Sequence, residues 1–418
     1  MTSAERADAQ RRVLRVLTAG QVVGSAALAA AVTVGAFVVQ DILGSQTAWA
    51  GISTATVTMG TAFMAQVLSR MMRRKGRRPG LQTGYGVAVL GALVAAVGVE
   101  RSSLPVFIVG LFLFGNGQAA NLLARYAATD LAEPDERARA MSRVVFASTF
   151  GAVLGPLIIG PAEHAGQSWF GLAKYTGPWL FGALIFAVAF VNTSVRLRPD
   201  PLVLAGGVGR GDGTPAASLR ATYAAILAGS RSRLALAAMV GSHVTMVGVM
   251  TMTPVHMKLH GRETLSQYVV SLHIAGMYAF APLVGRYADR RGREPAILAG
   301  GVILMLATVL AALSGEAAVL LFPALWALGL GWNFGLIGGS SLLVESMPAE
   351  RRVQVQGAAD MAMSFCGGLA GFSSGCIRKA NGYHLLAAAA TVVAGSLVIV
   401  AYTAWLQTRR PAAVPAGV

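Results

Sequence analysis

Ionisable side chains inside long apolar segments are the residues of this chain best placed to do chemistry. Asp360 lies early in the apolar segment 353–376, and His243 and His273 lie near the middle of two other such segments. A charged group at membrane depth is costly, so it usually pairs with another group or marks a substrate or ion pathway. A carboxylate and two imidazoles can gain and lose protons as their solvation changes. We therefore predict that these three residues couple protons, with a structural hydrogen bond as the alternative at each.

Amide side chains recur inside the same apolar segments: Gln21, Asn116, Gln118, Asn121 and Asn333. An amide both donates and accepts hydrogen bonds, so within a membrane it either holds a solute or bonds to a neighbouring helix. We predict that the last four of these residues bind the substrate. Arg125, near the end of its segment, is predicted to extend its guanidinium to the water interface.

Two histidines, His256 and His260, stand four residues apart and therefore share one helix face. Methionines accompany them in the same segment: Met246, Met250, Met252 and Met257. Imidazole and thioether groups suit soft transition metals such as copper or nickel, but methionine is also a common apolar filler. We predict no metal and no cofactor, and we keep metal binding by this histidine pair as the alternative.

The composition assigns most of the chain to a lipid environment. Its 418 residues are 55% hydrophobic and 12% charged, whereas soluble domains carry about 25% charged residues. A helix that crosses a bilayer needs about 20 mostly apolar residues, and twelve segments reach that length without the alternation typical of strands. We predict an all-α integral membrane protein whose transmembrane helices span residues 16–39, 47–69, 81–99, 104–128, 141–163, 177–195, 234–257, 264–284, 296–314, 317–343, 353–376 and 383–407.

A stretch of different composition separates the sixth predicted helix from the seventh. Residues 206–213 are rich in glycine and predict a flexible linker, while residues 219–233 regain a helical pattern that suits either a surface helix or an unstructured tether. We therefore divide the chain into an N-terminal six-helix bundle (1–195), a cytoplasmic linker (196–233) and a C-terminal six-helix bundle (234–418).

The basic residues are distributed unequally between the two faces of this predicted bundle. All but six of the 34 Lys and Arg lie on the side that holds the N-terminus, and the positive-inside rule places such a side, with both termini, in the cytoplasm. The net charge of +16 therefore reflects membrane orientation, and nucleic-acid binding is not expected. We predict a multi-pass protein of the plasma membrane, which is the bacterial inner membrane.

Short motifs recur between the two halves of the chain at nearly constant separation. The corresponding pairs are 69–79 with 285–295, 134–137 with 348–351, and 151–155 with 367–371. The first pair joins two apolar segments in each half, and the last supplies small residues four apart, which allow helix backbones to approach closely. Repeats of this kind are typical of transporters built from two related bundles.

The second copy of the loop resembles a motif of the major facilitator superfamily, G-x-x-x-D-R-x-G-R, and the chain resembles that family over nearly its full length. The residues that carry the motif are Gly285, Asp289, Arg290, Gly292 and Arg293. The first copy departs from the pattern, because Ser69 replaces the glycine and Arg73 replaces the acidic residue.

The fifth predicted helix is similar to a motif of the drug/proton antiporter branch of that family. The residues that match are Gly151, Gly155, Pro156 and Gly160. Leu111 occupies the position at which that branch carries an arginine in the fourth helix, so the proton-coupling role of that arginine does not transfer to this chain.

The resemblance implies two pseudo-symmetric six-helix bundles that rock around a central site. It implies a monomeric secondary active transporter, not an enzyme, that exports small organic molecules or drugs in exchange for protons. The alternatives are a proton-coupled importer of a small metabolite, a transition-metal exporter, and a membrane receptor or sensor that does not transport. The sequence contains no G-x-x-x-x-G-K-[ST] loop, so ATP is not expected to be the direct energy source.

Asp289 is expected to act as part of a gate. Its carboxylate would lie at the cytoplasmic end of the eighth helix, near the start of a helix in the other bundle. There, free N–H groups and the helix dipole favour negative charge. Such a contact exists only while the cytoplasmic side is closed. Because Arg73 carries the opposite charge in the first copy, we predict a latch made by the second copy alone.

Overall fold

The computed structural model describes residues 2–43, 52–208, 218–315 and 318–409, and within these ranges every regular element is helical. The α-helices follow in chain order: α1 (Ser3–Leu43), α2 (Ile52–Lys75), α3 (Arg77–Glu100), α4 (Leu104–Ala127), α5 (Arg137–Phe170), α6 (Thr176–Arg196), α7 (Pro201–Leu204), α8 (Leu219–Ala228), α9 (Ser230–Leu259), α10 (Glu263–Tyr278), α11 (Ala281–Arg291), α12 (Arg293–Leu313), α13 (Ala318–Glu345) and α14 (Ala349–Arg409). We refer to α1–α6 as the first half and to α9–α14 as the second half.

The predicted membrane helices correspond to these elements, with two differences. α14 continues through the last two predicted segments, and its kink lies at Gly382, whose positive φ of 80° glycine adopts without strain. The eighth predicted segment, 264–284, forms two helices, since α10 ends at Tyr278 and α11 begins at Ala281. Pro282 explains this break, because proline lacks an N–H and its ring clashes with the preceding turn. Residues 47–51 of the second segment lie outside the described residues.

Nine helices within the described ranges are long and apolar enough to cross a membrane. α5 is bent by 46° between Gly155 and Ile158, close to Pro156, and its two parts together would make a tenth. α14 is counted once although it covers two predicted segments. α2 is absent from the nine, and its last turn carries three basic residues. These three features account for the difference from the twelve predicted spans.

The two halves each surround a hydrophobic interior. One cluster of buried residues comes mainly from α1–α6, and a second comes mainly from α8–α14. Each cluster also takes residues from the opposite half: Val344 and Val353 join the first, and Ala138 and Val145 join the second. The halves therefore touch along α5 and near the junction of α13 with α14. Domain boundaries at residues 195 and 233 stay a prediction.

The segment between the halves contains a folded helix. Residues 209–217, which include part of the predicted glycine linker, lie outside the described residues. α8 ends before Gly229, whose extended backbone separates it from α9, so the helical pattern of 219–233 is divided between two helices. The Tyr223 hydroxyl of α8 donates to the Ala358 carbonyl of α14 at 2.9 Å, and burial raises the pKa of Tyr223. α8 is thus docked on the second half.

A single glycine makes each of the two repeated loops. Gly76 joins α2 to α3 and Gly292 joins α11 to α12, with φ of 96° and 101° respectively. Only glycine adopts such angles readily, and a Cβ on Gly76 would also lie 2.6 Å from the Asp200 carboxylate. The basic residues of both motifs therefore lie on helix ends. We call the side of the molecule that carries Gly76, Gly292 and the start of α1 the basic face.

Candidate functional site

Arg125 of α4 and Asp360 of α14 form a buried ion pair between the two halves. The guanidinium is bidentate, with Nη2 to Oδ1 at 2.5 Å and Nη1 to Oδ2 at 3.2 Å. Arg125 is 2% exposed and Asp360 is fully buried. Arg125 also donates to the Ser340 hydroxyl of α13 at 3.1 Å and to the Leu122 carbonyl. The prediction that Arg125 extends to the water interface is wrong, because the Asp360 carboxylate holds its guanidinium in the interior.

Because both charges are buried, the stability of this closed arrangement depends on Arg125 and Asp360 being charged together. Removing one member of a buried pair leaves an uncompensated charge and costs about 3–5 kcal/mol. Asp360 was a candidate from sequence, whereas its partner was not. Intramembrane ionisable groups usually pair, and this rule was the signal that could have led from Asp360 to Arg125.

A cavity of about 40 Å³ lies beside this pair, between the halves. Arg125, Gln118 and Asn121 line it from α4, and Gln21 of α1 lines it from the same half. Two of the four predicted substrate-binding amides, Gln118 and Asn121, are therefore brought together here. In this closed form the cavity has the volume of about one liquid water molecule, so an organic solute can enter only after the halves separate.

The other two predicted amides do not line this cavity. Asn116 donates to the Leu113 carbonyl of its own helix at 2.7 Å. Asn333 is fully buried on α13, and neither its Oδ1 nor its Nδ2 finds a partner in the described part of the chain. Their predicted role in substrate binding stays a prediction.

Two amides of the cavity each keep one polar atom free. Gln21 donates from Nε2 to the Ser148 hydroxyl at 2.9 Å, and Asn121 accepts at Oδ1 from the Tyr85 hydroxyl at 2.9 Å. Gln21 Oε1 and Asn121 Nδ2 are buried without a partner among the described residues. An unsatisfied buried polar group costs about 1–3 kcal/mol. These atoms are therefore available to a ligand.

The second half contributes an aromatic wall to the same cavity. Tyr278 of α10 and Trp332 of α13 both line it, with ring centroids 5.9 Å apart and an interplanar angle of 90°. Sequence reasoning missed both residues. Aromatic side chains are common in apolar helices, and nothing in their spacing shows that they point toward the other half.

The two predicted proton-coupling histidines bond to different parts of α13. His243 accepts at Nδ1 from the Trp332 indole N–H at 2.9 Å. The indole can only donate, so the neutral imidazole carries its proton on Nε2. His273 donates from Nδ1 to the Leu325 carbonyl at 2.8 Å, and its Nε2 is without a partner among the described residues. His243 therefore reaches the cavity through Trp332, while His273 lies apart from it.

The remaining histidine pair, His256 and His260, lies at the end of α9 opposite the basic face. His256 stacks on Tyr383 with ring centroids 4.3 Å apart, and its Nε2 is 3.3 Å from the Gly315 carbonyl oxygen. His260 donates from Nδ1 to the His256 carbonyl at 2.8 Å. In the part of the chain that the structure describes, no group of three or more His, Cys, Asp or Glu is arranged to hold a metal ion.

Asp289 contacts the start of α5 across the basic face. Its carboxylate accepts from the backbone N–H of Ala138 at 3.2 Å and of Arg139 at 2.9 Å. Arg293 of the same motif lies 2.8 Å from Asp289 and donates to the Pro134 carbonyl of the first half at 3.0 Å. These contacts hold α11 to the start of α5 and α12 to the turn before α5, with the Asp289 carboxylate at the positive end of the α5 dipole.

The other motif residues have separate positions. A Cβ on Gly285 would lie 2.4 Å from the Ser142 hydroxyl, so this glycine allows α11 to approach α5 closely. Arg290 is exposed on the basic face, and Gly292 makes the turn described above.

The first copy of the loop also reaches the opposite half. Arg77 pairs with Asp130 at 2.8 and 2.9 Å and donates to Gln356 of α14 at 3.0 Å. The carboxylate contact with a helix start in the other half is made by Asp289 of the second copy, and Arg77 adds a different contact between the halves, from its guanidinium to the Gln356 amide oxygen. That the latch uses the second copy alone stays a prediction. Burial raises the pKa of the Asp130 carboxyl, while the Arg77 guanidinium opposes this increase.

The glycines of the fifth-helix motif differ in their surroundings. Cβ atoms on Gly151 and Gly155 would lie 2.3 and 2.5 Å from backbone oxygens of α1, so both serve close helix packing. Gly160 is exposed, and a Cβ at this position would meet no atom of the described residues within 4 Å. Pro156 lies at the bend of α5. In the second half, Gly367 packs α14 against the His243 ring in the corresponding way.

Comparison with known proteins places this geometry in a family. The sequence model of the Major Facilitator Superfamily matches residues 17–372. The chain is 36% identical to the uncharacterized MFS-type transporter YdeG of Bacillus subtilis, over 96% of this chain and 93% of that protein. It is 28% identical to the riboflavin transporter RfnT of Brucella anthropi, over 91% of this chain and 92% of that protein.

Solved structures agree on the fold. The human organic anion transporter MFSD10 superposes with a TM-score of 0.70 at 16% identity, covering 94% of this chain and 99% of the other. At this identity the likeness concerns the fold alone. The predicted architecture of twelve transmembrane helices in two six-helix bundles is confirmed.

Proposed function

Since the chain belongs to the Major Facilitator Superfamily, whose members carry small molecules across membranes by secondary transport, we propose that it exports a small organic molecule in exchange for protons. The observation that carries this proposal is the buried pair of Arg125 and Asp360, which joins the two halves beside the central cavity. We place the basic face in the cytoplasm, where the positive-inside rule puts it.

Asp360 is the proposed proton carrier. While its carboxylate is charged, it pairs with Arg125 and helps to hold the basic face closed. A proton on this carboxylate removes the charge attraction, and the halves can then separate on the basic face. Loss of the proton restores the pair. The protonation state of Asp360 thereby shifts the balance between the form that is open on the basic face and the form that is open on the opposite side.

Exchange follows if proton and solute load the carrier in turn. The protonated chain opens to the cytoplasm, releases its proton and accepts a solute. The solute-loaded chain, with its ion pair formed again, opens to the other side and releases the solute there. Protons therefore move inward as solute moves outward. His243 and His273 are secondary candidates for the proton path, and His243 is joined to the cavity by Trp332.

The cavity suits an organic solute of low charge. Tyr278 and Trp332 offer aromatic surface, Gln21 and Asn121 offer a free acceptor and a free donor, and Asp360 balances the charge of Arg125. One relative is named a riboflavin transporter, and riboflavin combines a flat ring system with amide-like groups. Riboflavin therefore belongs in the panel of solutes to test.

The test is solute-driven proton movement in proteoliposomes that enclose a pH-sensitive dye. The panel contains aromatic organic compounds, organic cations, riboflavin and divalent metal ions. Wild type is compared with Asp360→Asn and with Asp41→Asn, which removes an exposed carboxylate at the far end of α1. We expect proton movement opposite to an organic solute in wild type and Asp41→Asn, and its loss in Asp360→Asn.

Each other outcome identifies a different function. Proton movement in the same direction as the solute would indicate an importer. Responses to metal ions alone would indicate a metal exporter, and solute binding without flux would indicate a receptor. Unchanged proton coupling in Asp360→Asn would contradict the role of Asp360.

A further inference from the structure

A cleft of about 400 Å³ lies on the basic face, away from the central cavity. One wall is the first three turns of α1, and the other is the segment that follows α6. Val13 and Leu197 form a buried apolar floor, while the charged side chains of the cleft are exposed around it. The transport mechanism above uses none of these residues.

Three arginines of the cleft lack a carboxylate partner. Arg12, Arg196 and Arg198 line it, and no carboxylate oxygen of the described residues lies within 4 Å of their nitrogens. Arg196 donates to the amide oxygen of Asn192 at 3.3 Å, and Arg198 donates to the Ser194 carbonyl at 3.2 Å. By contrast, the arginines that are buried in the described part of the chain, Arg77, Arg125 and Arg293, are each paired with a carboxylate. Guanidinium groups in such a cluster suit a phosphate.

Two carboxylates lie on the water side of these arginines. Glu5 and Asp8 line the same cleft and precede Arg12 on α1 by about two turns and one turn. Along the axis of α1 they lie about 10 and 6 Å from Arg12, farther from the membrane-spanning part of the helix. Asp8 also lies 3.4 Å from the Arg11 guanidinium, and Glu5 accepts from the Thr2 N–H at 2.7 Å, but both carboxylates stay exposed. The cleft therefore has its arginines at the membrane end and its carboxylates at the water end.

An apolar stripe leads from the arginines into the membrane. Five of the six exposed apolar residues along α6 recur every three or four positions: Leu180, Leu184, Val188, Val191 and Val195, with Phe190 outside this pattern. This spacing places them on one face of the helix, and Arg196 follows immediately. A molecule with a phosphate among the arginines could lay its hydrocarbon chains along this stripe.

We propose that this cleft binds a phospholipid whose headgroup is an aminoethyl phosphate, as in phosphatidylethanolamine. The phosphate lies among Arg12, Arg196 and Arg198, the ammonium lies against Glu5 and Asp8, and the acyl chains follow α6. This arrangement uses both signs of charge in the cleft. A purely anionic headgroup would match the arginines but would face the two carboxylates.

The experiment is native mass spectrometry of the full chain, purified in mild detergent and incubated with equal amounts of phosphatidylethanolamine and phosphatidylglycerol of identical acyl chains. We expect wild type to retain the former in preference to the latter. In the triple variant Arg12→Gln, Arg196→Gln, Arg198→Gln, the bound phosphatidylethanolamine should fall by a factor of about five or more. The variant Glu5→Gln, Asp8→Asn should lose the preference and gain phosphatidylglycerol.

The control removes three exposed cations from the same face outside the cleft: Arg70→Gln, Arg74→Gln and Lys75→Gln. This variant should retain wild-type lipid binding. Equal loss in the control and the arginine variant, or no loss in the arginine variant, would overturn the proposal. Soluble glycerophosphoethanolamine should not displace the lipid, because it lacks acyl chains. Displacement by this compound would overturn the proposal that acyl chains along α6 contribute to binding.

Discussion

At the residue scale, the contacts most sensitive to a change of charge are made by a few polar side chains that are buried away from water. Arg125 and Asp360 are the clearest case, because each satisfies the other across the junction of the two halves. Gln21 and Asn121 are the opposite case, since each keeps an unused polar atom beside the cavity. Paired groups hold one state of the molecule together, and unpaired groups are ready for a ligand.

A double-mutant cycle tests the energy of the ion pair. Arg125→Gln and Asp360→Asn each leave one buried charge without its partner, so each should destabilise the closed form by about 3–5 kcal/mol. The double variant leaves no uncompensated charge and should cost less than the sum of the single changes, with a coupling of about 0.5–3 kcal/mol. Thermal melting in detergent measures all four proteins. Strictly additive losses would contradict a direct interaction.

Trp332→Phe tests the aromatic wall of the cavity. The substitution keeps a ring but removes the indole N–H that bonds to His243. We expect a loss of stability of about 1 kcal/mol or more in thermal melting, because Nδ1 of His243 loses the indole donor, and weaker solute binding because the aromatic wall becomes smaller. The solute identified in proteoliposomes supplies the measurement, as the half-saturating concentration. Phe334→Leu on the same helix is the control, because Phe334 does not line the cavity.

At the element scale, close approach of helices depends on glycines that the sequence repeats in both halves. Gly151 packs α5 on α1, and Gly367 packs α14 on α9 against the His243 ring. The same local device therefore operates twice, once in each half.

Gly151→Ala and Gly367→Ala should each destabilise the protein by about 1–3 kcal/mol through overpacking. Their Cβ atoms would lie 2.3 Å from the Val22 carbonyl oxygen and from His243 Cδ2 respectively. The matched controls are Gly160→Ala and Gly375→Ala on the same two helices, where a Cβ meets no described atom within 4 Å. The controls should melt at or above the wild-type temperature, since alanine favours helix over glycine. Equal effects at all four positions would contradict the packing role.

Asp289→Asn tests the gate between α11 and α5. The change weakens hydrogen bonds to the N–H groups of Ala138 and Arg139 and removes the favourable charge at the start of α5. The closed basic face should lose about 0.3–1 kcal/mol or more. Labelling of Ser142→Cys, a buried position beneath Gly285, reports the opening in a background without Cys366 and Cys376. Asp135→Asn, an exposed carboxylate near the same turn, should leave the labelling rate unchanged.

At the scale of the whole molecule, the basic face is closed by contacts from several elements. Asp289 and Arg293 reach α5 and the turn before it, Arg77 reaches α14, and Arg125 reaches Asp360 deeper in the molecule. Opening this face must break all of them. We expect these contacts to open together, because each joins one half to the other.

The architecture could be predicted from sequence because it rests on length and repetition. Twelve apolar segments and their paired motifs were enough to indicate two six-helix bundles. The break before Pro282 depends on local backbone chemistry, and the helix α8 depends on docking against the second half. The length of an apolar segment predicts neither feature. The break could still have been anticipated from the proline itself.

The candidate site was predictable only in part. Asp360, Gln118 and Asn121 are unusual at membrane depth, so their residue types marked them. Tyr278 and Trp332 are ordinary in apolar helices, and their role depends on which helix face meets the other half. Arg125 lies near a helix end, where solvent contact is the usual outcome, and only the position of α14 reverses that expectation.

The most direct test of the central claim is the pH dependence of Ser142→Cys labelling, with and without Asp360→Asn. Rates are divided by those of the unfolded protein at each pH, which removes the titration of the thiol itself. We predict that labelling rises as the pH falls in the same cysteine-free background with Asp360 intact, because protonation of Asp360 breaks its pair with Arg125 and opens the basic face. In Asp360→Asn the rate should be high and should lose this pH dependence. The same pH dependence in both proteins would contradict the proposal that Asp360 couples protons to opening.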